Sequence, residues 1–415
     1  MSIAPPVADA SPWFVIPLSV QREGEVYCVG NRELDAFYHF PEEGVRIIAL
    51  LREGLSADGI RARLQADGFD DVDVDDFIGT LHDIGFVLPA AERERFAATI
   101  AATEAGDRRL RFSIPTGLAR ALFSWPTFAL YLTLLGAAAA SAIADPRLRL
   151  DFGAFFLEDH LTLTLVALLG LYAVSASLHE FGHMAAAARY GIRSRLGVGH
   201  RLWQIVAEAD LTGILSLPRR QRYLPLLAGM MTDLLSIALI TLALRWLLAG
   251  GEDGFLTHLL RAWILQIAIS ITWQFNIFLK TDVYYVLCNH FGHPDLDDEA
   301  RRYLRDRLHR ASFGMLGRHD GALDPRHLGV LRTFTAIWLL GRITALAFLL
   351  LVLIPTLLRY AERAFDAFRG PADGRAEAWD ATAFAAISIA LFAVGMAMWL
   401  RRRKRVTPLQ TGEPT

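Results

Sequence analysis

The sequence has few cysteines and lacks an early apolar segment. Of its 415 residues, only Cys28 and Cys288 are cysteines, and they lie far apart along the chain. Two cysteines so placed offer neither a disulfide framework nor a cysteine metal site. The first long apolar run begins only after more than a hundred residues. We therefore expect no cleaved signal peptide and an N-terminal region that stays in the cytoplasm.

Apolar residues are abundant and occur in long runs. They make up 53% of the chain, more than in an ordinary soluble domain. Six runs are each about as long as the roughly 20 residues that a helix needs to cross the hydrocarbon core of a bilayer. They cover residues 122–144, 161–188, 224–248, 262–287, 334–358 and 381–400. Charged loops separate the runs, which argues against a soluble helical protein and predicts a mainly α, polytopic membrane bundle of about six spans.

The arginines are distributed unevenly between the two sets of loops. Arginine-rich stretches lie between spans two and three, between spans four and five, and directly after span six at residues 401–405. The loop at residues 250–258 has no lysine or arginine, and the loop at 145–160 has only two. Because positive loops stay inside, both termini are expected in the cytoplasm, as an even number of spans requires.

Residues 1–89 have the pattern of a small α+β domain of winged-helix type. Residues 15–20 and 26–29 predict a hairpin around a turn at 22–25, and residues 37–40 predict a third strand. Three short helices are expected to follow, opening at Pro41, at Ser56, and at Asp71 or Asp73. We assign 90–118 to a linker, 119–405 to the membrane domain and 406–415 to a cytoplasmic tail.

The N-terminal domain is acidic at residues 70–76, so it should repel a phosphate backbone and bind no nucleic acid. Residues 38–44, the turn Arg52-Glu53-Gly54 and residues 81–87 resemble the PqqD-like peptide-recognition domains of ribosomal peptide pathways. The resemblance implies that a peptide adds a strand to the sheet edge beside the third helix. The alternative is a structural or dimerising cytoplasmic domain.

Span two ends with the motif His179-Glu180-Phe181-Gly182-His183. Histidines four residues apart on a helix face the same way and can bind one Zn²⁺ ion. Glu180 would be the general base for a metal-activated water. His179 lies ten residues before Arg189, which is about 15 Å of helix rise from the interface. Polar groups at that depth are costly unless they serve a site.

A third protein ligand is expected, and Asp282 in span four is the candidate. Spans two and four run in the same direction, and Asp282 precedes the cytoplasmic end of its span by about 12 Å of helix rise. The carboxylate can therefore lie at the depth of the histidines. The alternative is an ion pair with Lys280 near the interface.

The two motifs together resemble the site-2 protease family of intramembrane zinc metallopeptidases, in its bacterial peptide-metallopeptidase branch. The first motif matches in full, and Asn276, Asp282 and the pair Tyr284-Tyr285 match the second. Ile277 stands where proline is usual, and Val283 stands where glycine is usual. The resemblance implies a bacterial cytoplasmic-membrane protease in which Asn276 polarises the scissile carbonyl.

Asp233 in span three needs a separate interpretation, because it also lies about 15 Å deep. Ala228-Gly229 followed by Asp233 resembles a family segment that usually ends in asparagine. The carboxylate could accept a hydrogen bond from a liganding histidine, orient the substrate backbone, or pair with Arg342 in span five. We favour a supporting role over direct ligation.

These features predict an intramembrane zinc endopeptidase that matures a ribosomally made peptide or its leader. One alternative is a regulatory protease that cuts a membrane-tethered signalling protein. Another is a zinc transporter, and a third is an inactive homologue, against which the intact Glu180 argues. The expected partners are a peptide or membrane-protein substrate and the lipid bilayer, and the sequence assigns no oligomeric state.

Overall fold

The computed structural model describes residues 12–24, 26–32, 34, 36–69, 71–92, 96, 110–111, 114–150, 152–155, 161–201, 204–292, 296–311, 328–369 and 375–405. The predicted tail and much of the predicted linker lie outside these residues. The chain divides into two compact units. The first comprises Met1–Ser113, Ile192–Arg195 and Asp210–Tyr223, and the second comprises Ile114–Gly191, Leu196–Ala209 and Leu224–Thr415.

The first unit contains the predicted hairpin and third strand, with one correction. Strands β1 (Trp13–Val15) and β5 (Val87–Pro89) form a separate antiparallel pair. Strands β2 (Ser19–Glu23), β3 (Val26–Asn31) and β4 (Ala36–Phe40) form an antiparallel meander. The first hairpin arm therefore begins at Ser19 and not at Val15. Pro17 has no N–H to donate to a ladder, so one strand cannot run through it.

Three helices follow the meander: α1 (Glu42–Arg52), α2 (Ala57–Ala66) and α3 (Val74–Asp83). Side-chain oxygens of Ser56 and Asp73 accept hydrogen bonds from the first turns of α2 and α3, as their sequence positions predict. After α3 the chain reverses at Gly85, whose φ of 77° suits a residue without Cβ.

The two faces of the meander are chemically different. Val20, Val29 and Phe40 belong to the face that packs on the helices in one apolar core. The opposite face carries Cys28 and His39, which are direct cross-strand partners. The first unit thus has a conventional core on one side of its sheet and polar side chains on the other.

The remaining elements are strands β6 (Leu110–Arg111), β7 (Arg195–Arg201) and β8 (Gln204–Asp210), and a series of helices. Strands β7 and β8 are neighbours in one sheet. The helices are α4 (Thr116–Leu122), α5 (Trp125–Ala144), α6 (Leu161–Arg189), α7 (Arg219–Ala249), α8 (Phe255–Trp273), α9 (Asp282–Phe291), α10 (Leu296–Ala311), α11 (Leu328–Phe348), α12 (Ile354–Arg369) and α13 (Arg375–Arg405).

Six helical segments among the described residues are long and apolar enough to cross a membrane. They lie in α5, α6, α7, α8, the continuous stretch from α11 into α12, and α13. A π-helical turn at Leu349–Leu353 joins α11 to α12. The chain is therefore mainly helical, with a small sheet-containing region at its N-terminal end, and the length and composition of these six segments indicate a membrane protein.

The fourth predicted span was wrong in its bounds. Helix α8 begins at Phe255 and ends at Trp273, and the chain then leaves the helix until Asp282. A short 3₁₀ turn, Ile277–Leu279, is the regular part of this break. Irregular backbone in a membrane protein needs other polar partners, because lipid offers none. Here Gln274 supplies them: its carbonyl accepts from the Thr281 hydroxyl, and its side chain accepts from the Asp282 N–H.

Candidate metal centre

Helix α6 carries both histidines of the sequence motif on one face. His179 and His183 are one helical turn apart, and their ring centroids are separated by 4.8 Å. Their Nε2 atoms lie 3.1 Å from each other. Both side chains are buried, with residue exposures of 7% and 3%. The helical spacing therefore brings two imidazole nitrogens to one buried point.

Asp282 approaches that point from the first residue of α9. Its Oδ2 lies 2.9 Å from Nε2 of His179 and 3.2 Å from Nε2 of His183. The break before α9 aims the carboxylate, since Lys280 takes a left-handed conformation with φ of 54° and Gln274 holds the Asp282 N–H. The ammonium group of Lys280 lies 5.9 Å from the ring centroid of Tyr284. Asp282 thus contacts the histidines, as the ligand interpretation predicts.

The outer nitrogen of each imidazole has an acceptor of its own. Nδ1 of His183 donates to the carbonyl oxygen of Pro225 at 2.7 Å. Nδ1 of His179 lies 2.8 Å from Oδ2 of Asp233. A carbonyl can only accept, so the proton of His183 must sit on Nδ1, and the carboxylate favours the same tautomer for His179. In the neutral form of each ring, Nε2 is then left as a lone-pair donor.

With both rings neutral, as metal ligation requires, three lone-pair atoms converge. The distances of 2.9, 3.1 and 3.2 Å join the two imidazole nitrogens and one carboxylate oxygen. Such atoms repel one another unless a cation or proton lies among them. Ligands of a tetrahedral zinc ion with bonds of about 2.0–2.1 Å are about 3.3 Å apart. The donor set, its spacing and its burial fit a zinc ion with one coordination position open.

Helix α7 lies against the two rings because glycines permit close approach. A Cβ atom on Gly229 would lie 2.3 Å from Nε2 of His183 and 2.6 Å from Nε2 of His179. On α6, a Cβ atom on Gly182 would lie 2.2 Å from the hydroxyl of Thr232. Side chains at either position would force the helices apart or displace the imidazoles. Gly229 therefore defines one wall of the cluster.

Asp233 and Arg342 do not pair with each other. The Asp233 carboxylate is buried and contacts His179, as the hydrogen-bond alternative predicts. The Arg342 guanidinium instead lies over the Trp338 ring, 3.9 Å from its centroid, and 5.4 Å from that of Phe278. Both contacts are cation–π interactions, for which arginine is well suited.

Glu180 and Asn276 have different settings in the structure. One carboxylate oxygen of Glu180 accepts a hydrogen bond of 2.7 Å from the backbone N–H of Ala209, in β8. Asn276 is buried in the break before α9, and its amide makes no hydrogen bond to the three converging residues of the described chain.

Sequence reasoning missed Pro225, Ala209 and Gln274. Pro225 and Ala209 contact the site through backbone atoms, and Gln274 accepts from the Asp282 N–H with its side-chain oxygen. A carbonyl or an N–H belongs to every residue type, so no letter in the sequence marks the roles of Pro225 and Ala209. Pro225 gave one usable signal, since a proline inside a long apolar helix perturbs its hydrogen bonding.

No protein-family model matches the chain, and neither the curated proteins nor the solved structures include a significant match. A functional assignment therefore depends on the chain's own residues and their geometry.

Proposed function

We propose that this chain is a zinc-dependent endopeptidase of the site-2 protease type, embedded in the cytoplasmic membrane of a bacterium. The observation that carries the proposal is the convergence of His179, His183 and Asp282 through three lone-pair atoms. The histidines lie on a helix that is long and apolar enough to span a bilayer. Buried polar groups in such a helix mark functional sites by default.

The three metal ligands and Glu180 would have different chemical roles. Nε2 of His179, Nε2 of His183 and Oδ2 of Asp282 would hold the metal. A zinc ion there would supply Lewis-acid activation of a water and of the scissile carbonyl. Glu180 follows His179 directly, and its carboxylate would take the proton of the attacking water and deliver it to the leaving amine.

Three hydrogen bonds prepare these groups for their roles. The N–H of Ala209 holds one oxygen of Glu180, which orients the carboxylate and leaves its other oxygen for the proton. Asp233 and Pro225 fix the tautomers of the two histidines. Asn276, which the family resemblance assigns to the carbonyl oxygen of the substrate, lies in the break that precedes Asp282.

The first unit supports a role in peptide recognition. Strand β4 is an edge of its meander, and Tyr38 on it is 41% exposed. Phe40 of the same strand packs on Phe77 of α3, with ring centroids 5.4 Å apart, so the edge lies beside the third helix. An extended peptide can add to such an edge by backbone hydrogen bonds. Asp71 and Asp76 are exposed near the start of α3 and favour a basic peptide.

The grouping of the donors favours hydrolysis over zinc transport. A permease needs metal-binding groups spread along a pore, whereas these donors meet at one point. A general base beside three metal ligands also serves no evident purpose in transport.

Both termini would lie in the cytoplasm, as the arginine-rich loops predict.

Proteoliposomes with the full chain test this proposal. Candidate peptides and membrane-tethered proteins would be incubated with wild-type protein and with Glu180→Gln, and new termini would be identified by mass spectrometry. We expect cleavage by the wild type, a loss of at least about 100-fold in Glu180→Gln, and similar zinc content in both. Cleavage of soluble basic peptides supports the maturation role, and cleavage of tethered proteins alone supports the regulatory one. Undiminished cleavage by Glu180→Gln would remove Glu180 from the mechanism.

A further inference from the structure

A second group of metal-ligating side chains lies on the polar face of the β2–β3–β4 meander. Glu23 is opposite Val26 in the hairpin register, and Cys28 is opposite His39, so all these side chains project from the same face. One ligand atom each of Glu23, Cys28 and His39 lies within 4.8 Å of the others. The three atoms are a carboxylate oxygen, a sulfur and an imidazole nitrogen.

This face is covered by the segment Asp210–Tyr223 of the first unit. The side chain of Gln21 donates to the carbonyl of Ser216 at 3.0 Å. Arg222 forms an ion pair with Glu23 and donates to the carbonyls of Leu215 and Leu217. Cys28 is 1% exposed, whereas the side chain of His39 is 25% exposed. The cluster is therefore closed on most sides and open beside the imidazole.

The two oxygens of Glu23 have different neighbours. Oε1 contacts the guanidinium of Arg222, which several protein oxygens hold in place. Oε2 lies 3.2 Å from Nε2 of His39. That distance is close to the separation of two ligands on a tetrahedral zinc ion, about 3.3 Å. Arg222 thus orients the carboxylate in the way that outer partners orient metal ligands.

We propose that Glu23, Cys28 and His39 form a second metal site, which takes a thiophilic divalent cation such as zinc. Sulfur, nitrogen and carboxylate oxygen are all zinc ligands, and three of them leave one position for a solvent molecule on the open side. This proposal does not depend on the peptidase, because none of the three residues belongs to the candidate metal centre. No residue spacing in the sequence predicts such a site, and the proposal departs from the expectation that the cysteines serve no metal site.

Binding of a cation through Cys28 would require its thiolate. The metal would replace the thiol proton, which is released to solvent.

Occupation of the site would link all three strands of the meander. A cation that binds the folded chain alone adds stability according to its concentration and affinity. The ligands come from β2, β3 and β4, so the cation would also hold the register of the sheet. Its effect is expected on the stability of the first unit.

Cobalt substitution provides a direct test, since only a cysteine ligand gives a thiolate-to-cobalt charge-transfer band. Metal-depleted full-length protein in detergent would be titrated with Co²⁺ and followed in the near ultraviolet. We expect the band in the wild type, in Cys288→Ser, and in a His179→Ala, His183→Ala double variant that removes the other site. We expect its loss in Cys28→Ser and at least a tenfold weaker Co²⁺ affinity in His39→Ala.

Absence of the band from the wild type would overturn the proposal whether or not any variant folds. A band that persists in Cys28→Ser and disappears in Cys288→Ser would also overturn the proposal. The double variant separates the two sites: if it keeps the band but loses all hydrolysis, the second site stands and the two functions are independent.

Discussion

Oδ2 of Asp233 lies 2.8 Å from Nδ1 of His179, on the side of the ring opposite the nitrogen that faces Asp282. The carboxylate fixes the ring orientation and keeps the proton away from Nε2. Nε2 is then free to donate its lone pair. Carboxylate–histidine pairs of this kind support metal ligands in many proteins.

Removal of the Asp233 carboxylate should weaken metal binding without removing a ligand. We expect Asp233→Ala to lower zinc affinity by about 10–100-fold, and Asp233→Asn to lower it less, because the amide oxygen can still accept from Nδ1. Affinity would be measured by competition with a chelator of known strength. Ser236→Ala is the matched control, since the Ser236 hydroxyl donates to the carbonyl of Thr232 in its own helix. Equal affinity in Asp233→Ala and the wild type would show that the carboxylate does not support the ligand.

A methyl group on Gly229 should displace the histidines. The added Cβ would lie within 2.6 Å of both Nε2 atoms, which is far inside van der Waals contact. We expect Gly229→Ala to lose most of its zinc and its hydrolytic activity while the chain stays folded in detergent. Gly170→Ala on α6 is the control, since nothing lies within 4 Å of a Cβ placed there. Full zinc content in Gly229→Ala would contradict the close packing of α7 on the cluster.

Peptide binding at the edge of β4 can be tested with a basic peptide in place of the unidentified substrate. Tyr38→Ala removes an exposed ring from that edge, and Gln65→Ala changes an exposed residue on α2. We expect Tyr38→Ala to weaken binding of a basic leader-like peptide by about tenfold in fluorescence anisotropy, because edge pockets contribute to affinity as well as specificity. Equal binding by the two variants would place the peptide elsewhere.

Point substitutions are preferable here to deletion of residues 1–89. Glu23 in that region forms the buried ion pair with Arg222, and both residues belong to the first unit. Removal of one partner leaves the other charge buried without compensation, which destabilises the remaining chain. A deletion would therefore confuse loss of peptide recognition with loss of folding.

The features that sequence could predict are those with local signals. Hydropathy located the spans, and capping residues such as Ser56 and Asp73 located helix starts. The break before Asp282 was missed because Ile277, Phe278 and Leu279 continue the apolar run through it. Hydropathy measures burial or lipid exposure and does not distinguish helix from irregular backbone.

Long-range partnerships were beyond sequence reasoning for a different reason. Glu23 and Arg222 are separated by nearly two hundred positions, and nothing in either local segment specifies the other. Asp282 could be assigned to the histidines because all three residues were predicted to lie at the same depth in the membrane. The predicted depth likewise limited the possible partners of Asp233 to a few residues. In the structure the Asp233 carboxylate contacts His179.

The most direct test of the central claim is the zinc content of purified protein, measured by mass spectrometry of the metal. Cys28→Ser serves as the parent, so that the proposed second site does not contribute. We expect about one zinc per chain in Cys28→Ser, and a small fraction of that when Asp282→Ala is added, because one of three ligands is lost. Protein without zinc in the parent, or with unchanged zinc after removal of Asp282, would contradict the assignment of a metal to His179, His183 and Asp282.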